Sequence, residues 1–336
     1  MKYIVNETLR IIVKIALNIY YKNIYVEGKN NIPKGKAILM VSNHQNALID
    51  PLLLATHAGL KPYFLTRASV FGSPFVAKLL DYIQMFPIYR VRDGVKNMEK
   101  NQITFDKSVN VLLKKGTMLI FGEGSHSTLR NLRSLKKGFS RIAFQALEKD
   151  DALDLVILPV AINYSNHNHS GSNVRISFGE VIDPKEYFPN HDALIKATSA
   201  SLAPMIVDIP EQSYQEDLQS LIDHKIDLTS PKAVSDFLNH KSSSKRLPKN
   251  VKKPYLRNKL MKLFHLPIYW VWLWMSPKVK DIAFIATFKF VIGLVGLPLW
   301  YMLLYTSFST LGHKDWAFSF LFLAVIFLFA NKNGQK

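Results

Sequence analysis

Between Val291 and Gly312 the chain runs for 22 residues without a formal charge. As an α-helix such a run measures about 33 Å, enough to cross the hydrocarbon core of a bilayer. It offers water no polar face, so it must be enclosed by protein or by lipid. His313-Lys314-Asp315 then predicts a turn, and Trp316 to Ala330 forms a second apolar run of 15 residues. That run spans only about 22 Å as a helix, which is short for a crossing. Lys278, Lys280 and Lys289 precede the first core and Lys332 and Lys336 follow the second, so the positive-inside rule predicts a hairpin with both ends cytoplasmic. A shallow re-entrant pair is the alternative. All five tryptophans (Trp270, Trp272, Trp274, Trp300, Trp316) fall after residue 263, as expected where rings sit at a membrane interface. Leu263 to Met275 is apolar but short and holds Pro267, which predicts an interfacial segment.

Charge leads in the same direction. The chain has 43 Lys+Arg against 25 Asp+Glu, a net charge of +18, and nine of the cations lie between residues 241 and 262 with no acid among them. A polybasic stretch leading into apolar sequence predicts binding to anionic phospholipid headgroups, at about 1 kcal/mol per charge near the surface. Nucleic acid is the weaker partner for this pattern, and a solvated linker is the bland one. With 48% apolar residues the chain is not disordered. It has no cysteine, which excludes thiolate nucleophiles, Cys-based zinc sites and redox dithiols.

Glu7, Arg10, Lys14 and Asn18 interrupt the first twenty residues, so no secretory signal is expected. Those polar residues recur every three or four positions, opposite Ile4, Val5, Leu9, Ile12, Ile15, Ala16 and Ile19, the pattern of an amphipathic helix. Its apolar face suits either a membrane interface or the domain's own core. From residue 24 to about 185, strand-like runs (Ala37–Ser42, Thr117–Phe121, Leu155–Asn163, Val174–Phe178) alternate with helical ones (Val95–Lys115, Lys136–Leu147), which predicts an α/β domain. Lys114-Lys115-Gly116 predicts a helix end with a glycine stop. From 190 to 240 the chain reads as polar and helical, with breaks at Pro210 and Pro231. Four regions follow: a membrane-binding helix over 1–23, an α/β domain over 24–210, a polar region with the basic linker over 211–262, and a membrane-associated region over 263–336.

Chemistry concentrates in Val41-Ser42-Asn43-His44-Gln45-Asn46-Ala47-Leu48-Ile49-Asp50-Pro51, an apolar strand running into a loop with a His and an Asp. Asp50 before Pro51 predicts a helix N-cap followed by its first turn, which leaves His44 on the loop. An imidazole beside a carboxylate has a fixed tautomer and a stabilised cation, the requirements for a base that takes a proton from an alcohol. Six positions on a regular helix rotate by about 240° net, so the two side chains meet only if the loop closes irregularly.

Three further segments follow in order: Phe86-Pro87-Ile88-Tyr89-Arg90, Leu119-Ile120-Phe121-Gly122-Glu123-Gly124-Ser125-His126-Ser127, and Ile157-Leu158-Pro159-Val160. Taken with the His–Asp segment, they resemble the four sequence blocks of the glycerophospholipid acyltransferases, over about residues 24 to 185. This family includes the lysophosphatidic acid and glycerol-3-phosphate acyltransferases. The resemblance implies a mixed central sheet flanked by helices. It implies that His44 is the base on the acceptor hydroxyl, that Asp50 orients it, and that acyl-CoA or acyl-carrier protein is co-substrate, with no cofactor and no metal. Arg90 then meets the acceptor's phosphate, as its planar fork allows. The third block usually reads Pro-Glu-Gly-Thr-Arg-Ser; here Glu123 and Gly124 match, Ser125 replaces Thr, and His126 replaces the phosphate-facing Arg. Backbone N–H groups of Gly122 and Gly124 are expected to add an anion cradle, and Lys137 to restore the missing charge. Asn43 and Pro159 are the supporting residues of the first and fourth blocks.

Two departures bear on the substrate. His44 and Asp50 enclose five residues where the family generally has four, and the usual glycine before the second-block Arg is absent. The longer spacing and the Gly-Ser-His block are similar to the fungal-type glycerol-3-phosphate acyltransferases. The implied enzyme sits on the cytoplasmic face of a membrane and acylates glycerol 3-phosphate or 1-acylglycerol 3-phosphate. A transacylase that remodels phospholipids and a non-catalytic lipid-binding protein are the rival readings. Ser125 beside His126 lacks the Gly-x-Ser-x-Gly elbow of a hydrolase. His167 and His169, in a polar loop without nearby carboxylates, are expected at the surface and not on a metal.

Overall fold

The computed structural model describes residues 2–89, 99–240 and 255–333. Arg90 and residues 241–254 of the basic run lie outside the described residues.

Two continuous apolar runs form the middle of a seven-stranded sheet. In β2 (Ala37–Ser42) and β6 (Leu155–Tyr164) every residue is buried, as expected of strands covered on both faces. Beside them lie β1 (Asn23–Glu27), β3 (Tyr63–Arg67), β4 (Met85–Ile88), β5 (Thr117–Phe121) and β7 (Asn173–Phe178), in the order β1-β7-β6-β2-β5-β3-β4. Every neighbouring pair is parallel except β6 with β7, so the sheet is mixed.

Alternation along the strands splits the core into two faces. Leu39, Val41, Ile120 and Ile157 pack against Phe105, Val109 and Leu112 of α4 (Asn101–Leu113), Phe139 and Ile142 of α5 (Gly138–Lys149), and Leu194 of α6 (His191–Leu202). On the other face Met40, Leu119, Leu158 and Ile162 meet Leu17 of α1 (Lys2–Tyr20), Leu53 of α2 (Ile49–His57) and Phe290 of α11 (Ile285–Thr310). The fold is therefore an α/β/α layering in which the long apolar helix starts inside the domain's own core.

Helix α1 is turned opposite to a helix of a water-soluble domain. The N-terminal half of its polar stripe faces protein: Asn6 donates to the carbonyl of Tyr82, Arg10 to the carbonyl of Leu60 and to Gln84 Oε1, and Glu7 pairs with Lys61 at 3.1 Å, while Lys14 and Asn18 remain exposed. Ile4, Leu9, Ile11, Ile12 and Ile15 point outward, and only the C-terminal end, through Leu17 and Tyr21, enters the core.

The region from 190 to 240 is helical, and the break before its last helix ends at Pro231. That proline opens α8 (Pro231–Asn239), capped by Ser230, and packs with α7 (Tyr214–Asp223) on a small core of Val207, Ile209, Leu221 and Val234. Just past the end of α4 the chain turns at Lys115, φ +54°, with Gly116 needed for space: a Cβ there would lie 2.8 Å from the carbonyl oxygen of Val111. Beyond the basic run, α9 (Tyr255–Phe264) and α10 (Leu266–Met275) pack on α11 and on α12 (Lys314–Asn333). Residues Ile282–Thr310 are the single described helix long and apolar enough to cross a membrane, and α12 returns alongside it.

Candidate active site

Strand β2 ends at Ser42, and the chain then makes an irregular loop before α2. Asn43 extends the ladder with its side chain, donating to the carbonyl of Ile162 at 3.0 Å and accepting from the N–H of Ile162 at 2.9 Å. Ala47, at φ +26°, supplies the bend that regular helix geometry could not. The expected N-cap is corrected here. Leu48 occupies that position and Asp50 falls inside the first turn, because its carboxylate folds back over the loop.

Asp50 is fully buried and its oxygens are saturated with donors. Oδ2 accepts from His44 Nδ1, from the N–H of Gln45 and from the N–H of Asn46, each at 2.8 Å, and Oδ1 accepts from the Tyr164 hydroxyl. Burial and the Asp50 charge push the Tyr164 phenol well above its ordinary range, so it stays a donor. His44 donates through Nδ1 and keeps Nε2 as the acceptor nitrogen. Its ring stacks on Phe121 at 3.9 Å, and its side chain remains 13% exposed, within reach of a substrate. A buried carboxylate and an oriented, partly exposed imidazole are the arrangement that general-base chemistry requires.

The family model described as Acyltransferase matches residues 23–163, which enclose this pair, strands β1 to β5 and all of β6 but its last residue. Over these residues the chain is similar to acyltransferases. The chain is 27% identical over 171 residues to the 1-acyl-sn-glycerol-3-phosphate acyltransferase of Borreliella burgdorferi, covering 51% of this chain and 63% of that protein. It is 27% identical over 183 residues to the probable 1-acyl-sn-glycerol-3-phosphate acyltransferase of Mycoplasma pneumoniae, covering 52% and 62%. The match thus spans less than two thirds of either relative's own length. The crystal structure of the 1-acyl-sn-glycerophosphate acyltransferase PlsC from Thermotoga maritima superposes with a TM-score of 0.46 and 22% identity, over 60% of this chain and 78% of that one.

Within the matched region, several residues expected to face a phosphate do something else. Glu123 is buried and forks onto Arg133, whose Nε and Nη2 donate to Oε2 at 3.1 and 2.6 Å and whose backbone N–H donates to Oε1 at 3.2 Å. It holds Arg133 and would repel a phosphate. Ser125 belongs to the same cluster, its Oγ accepting from Arg133 Nη1 at 3.0 Å. The N–H groups of Gly122 and Gly124 are spent on the carbonyls of Ser42 and Phe121, each at 3.0 Å, so they form no anion cradle. Gly122 serves instead as a close-packing point: a Cβ there would meet Leu135 at 2.9 Å and Val41 at 3.0 Å. Gly124 turns the loop at φ +73°. Lys137 is drawn to Asp192 of α6 at 2.9 Å, on the surface, and so does not replace the missing Arg charge. Pro159 is a sheet residue in register with Val41.

His126 does lie at the site, edge-on to the His44 ring at 5.6 Å. The sequence reading missed Arg133, which places a guanidinium in this loop, and Tyr164, the donor behind Asp50. His167 corrects an expectation: it is buried, not superficial. Its Nε2 donates to Gln45 Oε1 at 3.1 Å while its carbonyl accepts from Asn46 at 3.0 Å, which clamps the loop between His44 and Asp50. Burial pushes its imidazole well below the ordinary range, helped by the nearby Arg130 charge. Among the described residues no cluster of His, Cys, Asp or Glu has the makings of a metal site.

Proposed function

We propose that the chain is a membrane-associated O-acyltransferase that moves a fatty acyl group from a thioester donor to the free hydroxyl of 1-acylglycerol 3-phosphate. The observation that carries this reading is the bond from His44 Nδ1 to the buried Asp50 carboxylate at 2.8 Å. Nε2 takes the hydroxyl proton, the oxygen attacks the thioester carbonyl, and the C–S bond breaks as the ester C–O bond forms. The imidazolium then returns the proton to the departing thiolate. The names of the two bacterial relatives favour the lysophosphatidic acid acceptor. The five-residue spacing between His44 and Asp50 favours glycerol 3-phosphate as the second reading.

The outward apolar stripe of α1, the uncharged core of α11 and the exposed Trp270 and Trp274 support a membrane location. The domain is assigned to the cytoplasmic face, with the basic run on anionic headgroups. The test is acyl transfer from labelled acyl-CoA and acyl-carrier protein to lysophosphatidic acid, glycerol 3-phosphate and a lysophospholipid, by full-length protein in vesicles. His44→Ala is expected to lower the rate by about 10²–10⁴-fold, the contribution of a positioned base. Wild-type transfer in that variant, or no transfer to any acceptor, overturns the reading.

A further inference from the structure

The segment around residues 281–290 lies beyond the region matched by the family, yet its side chains reach into the candidate active site. Asp281 Oδ2 accepts from His126 Nε2 at 2.7 Å, and Phe284 packs edge-on against the same imidazole at 5.4 Å. One turn further, Thr287 Oγ1 accepts the N–H of Leu48 at 3.3 Å, on the loop between His44 and Asp50. Lys289 donates to the carbonyl of Asn168 at 2.7 Å, next to His167. Ala283, Ala286 and Phe290 are buried beneath these contacts. The start of the apolar helix is therefore one wall of the site.

We propose that Asp281 is a positioning residue for the acceptor's phosphate, acting through His126. This rests on the acyltransferase reading above. The two oxygens of Asp281 have separate tasks: Oδ1 caps the turn that leads into α11, accepting the N–H of Ala283 at 3.0 Å, while Oδ2 holds His126. The hydrogen bond from His126 holds the Asp281 carboxyl below its ordinary range, so it is ionised at neutral pH. With Nε2–H committed to a carboxylate, Nδ1 is left without a protein partner among the described residues. A phosphate oxygen brought to Nδ1 would place an anion at each ring nitrogen, and an imidazolium between two anions donates to both. The two imidazoles lie 5.6 Å apart, a spacing that lets one small molecule set its hydroxyl on His44 and its phosphate on His126. His126 and Asp281 together thus replace the arginine that the third block lacks.

Asp281→Asn tests this cleanly, because asparagine caps a turn as well as aspartate does and only the charge is lost. The full-length protein in phosphatidylcholine–phosphatidylglycerol vesicles is assayed with 1-oleoylglycerol 3-phosphate and whichever thioester donor supports wild-type transfer. The expected result is a KM for the acceptor raised about tenfold, as a charge-assisted hydrogen bond becomes a neutral one, with kcat within about threefold of wild type. Asp281→Glu should recover most of the KM, and the melting temperature of Asp281→Asn should stay within about 2 °C of wild type. An unchanged KM overturns the proposal, as does a fall in kcat alone, which would put the pair in the chemical step. A loss of thermal stability that Glu does not repair also overturns it, leaving Asp281 as a cap only. If wild type acylates no phosphorylated acceptor, it is the acyltransferase reading that fails, and the proposal falls with it.

Discussion

Replacing Asp50 by asparagine tests the site at its most constrained point. Oδ2 receives two backbone N–H groups and His44, so the amide oxygen of an asparagine must take that side. His44 would keep its Nδ1–H tautomer and its orientation. The cost falls on charge: three charge-assisted bonds become neutral, at about 1 kcal/mol each. The new amide N–H group faces the Tyr164 hydroxyl, which must turn to accept and leaves its own proton without a partner, about another 1 kcal/mol. A loss near 4 kcal/mol corresponds to a fall in melting temperature of roughly 10 °C for a domain of this size. Because the tautomer survives, the rate should fall by only about 10²–10³-fold, the lower part of the range for a positioned base. The assay pairs thermal unfolding of the solubilised protein with acyl transfer in vesicles. A melting shift under about 3 °C together with a rate within tenfold of wild type would refute the argument that this carboxylate is both the keystone of the loop and the partner of the base.

Arg133→Ala leaves the buried Glu123 carboxylate without its fork and should destabilise the domain by about 3–5 kcal/mol, read by thermal unfolding; Arg133→Lys should recover only part of this, since an ammonium cannot reproduce the fork. Burial lowers the His57 imidazole from 6.5 to about 4, so the folded protein holds it neutral while the unfolded chain takes up a proton below about 6.5. Its contribution to stability is therefore complete above pH 6.5 and lost as pH falls toward 4, and His57→Gln should flatten the melting temperature across that window. The chain's lack of cysteine allows a single reporter. A fluorophore on Ile15→Cys in α1 should shift to the blue on addition of anionic vesicles and be quenched by brominated lipid, whereas one on Lys196→Cys in α6 should do neither. Equal behaviour at the two positions would remove α1 from the membrane surface.

Which elements were legible in the sequence follows from how each is buried. Strands β2 and β6 read as unbroken apolar runs because the sheet covers both their faces. Strand β1 lies at an edge with no fully buried residue and β3 buries only Phe64, so neither carries a run that sets it apart from a loop. His44 and Asp50 were visible as residue types on a strand-to-helix connection. Their meeting was not, because it depends on a single residue at positive φ and on two backbone N–H groups that only the folded loop aims at the carboxylate. The cluster around Glu123 shows the limit of matching residues to a motif. Identity at that position carries over, whereas the partner, Arg133, stands ten residues away at a point the motif does not cover.

Helix α1 makes the remaining gap physical. Its periodicity defines one polar and one apolar stripe, and that pattern is equally consistent with either stripe facing the domain. The choice is made by partners far along the chain: the carbonyls of Leu60 and Tyr82 and the side chains of Lys61 and Gln84 offer the polar stripe hydrogen bonds and charge that no apolar surface could match. Once those bonds are made, Ile4, Leu9, Ile11, Ile12 and Ile15 have nowhere to go but outward. Water alone would disfavour that arrangement, at about 25 cal/mol for each Å² of apolar surface left exposed. A bilayer removes the penalty. The same reasoning applies to Asp281, whose partner lies 155 residues earlier: a contact of that separation leaves no local trace, yet it joins the start of the apolar helix to the candidate active site.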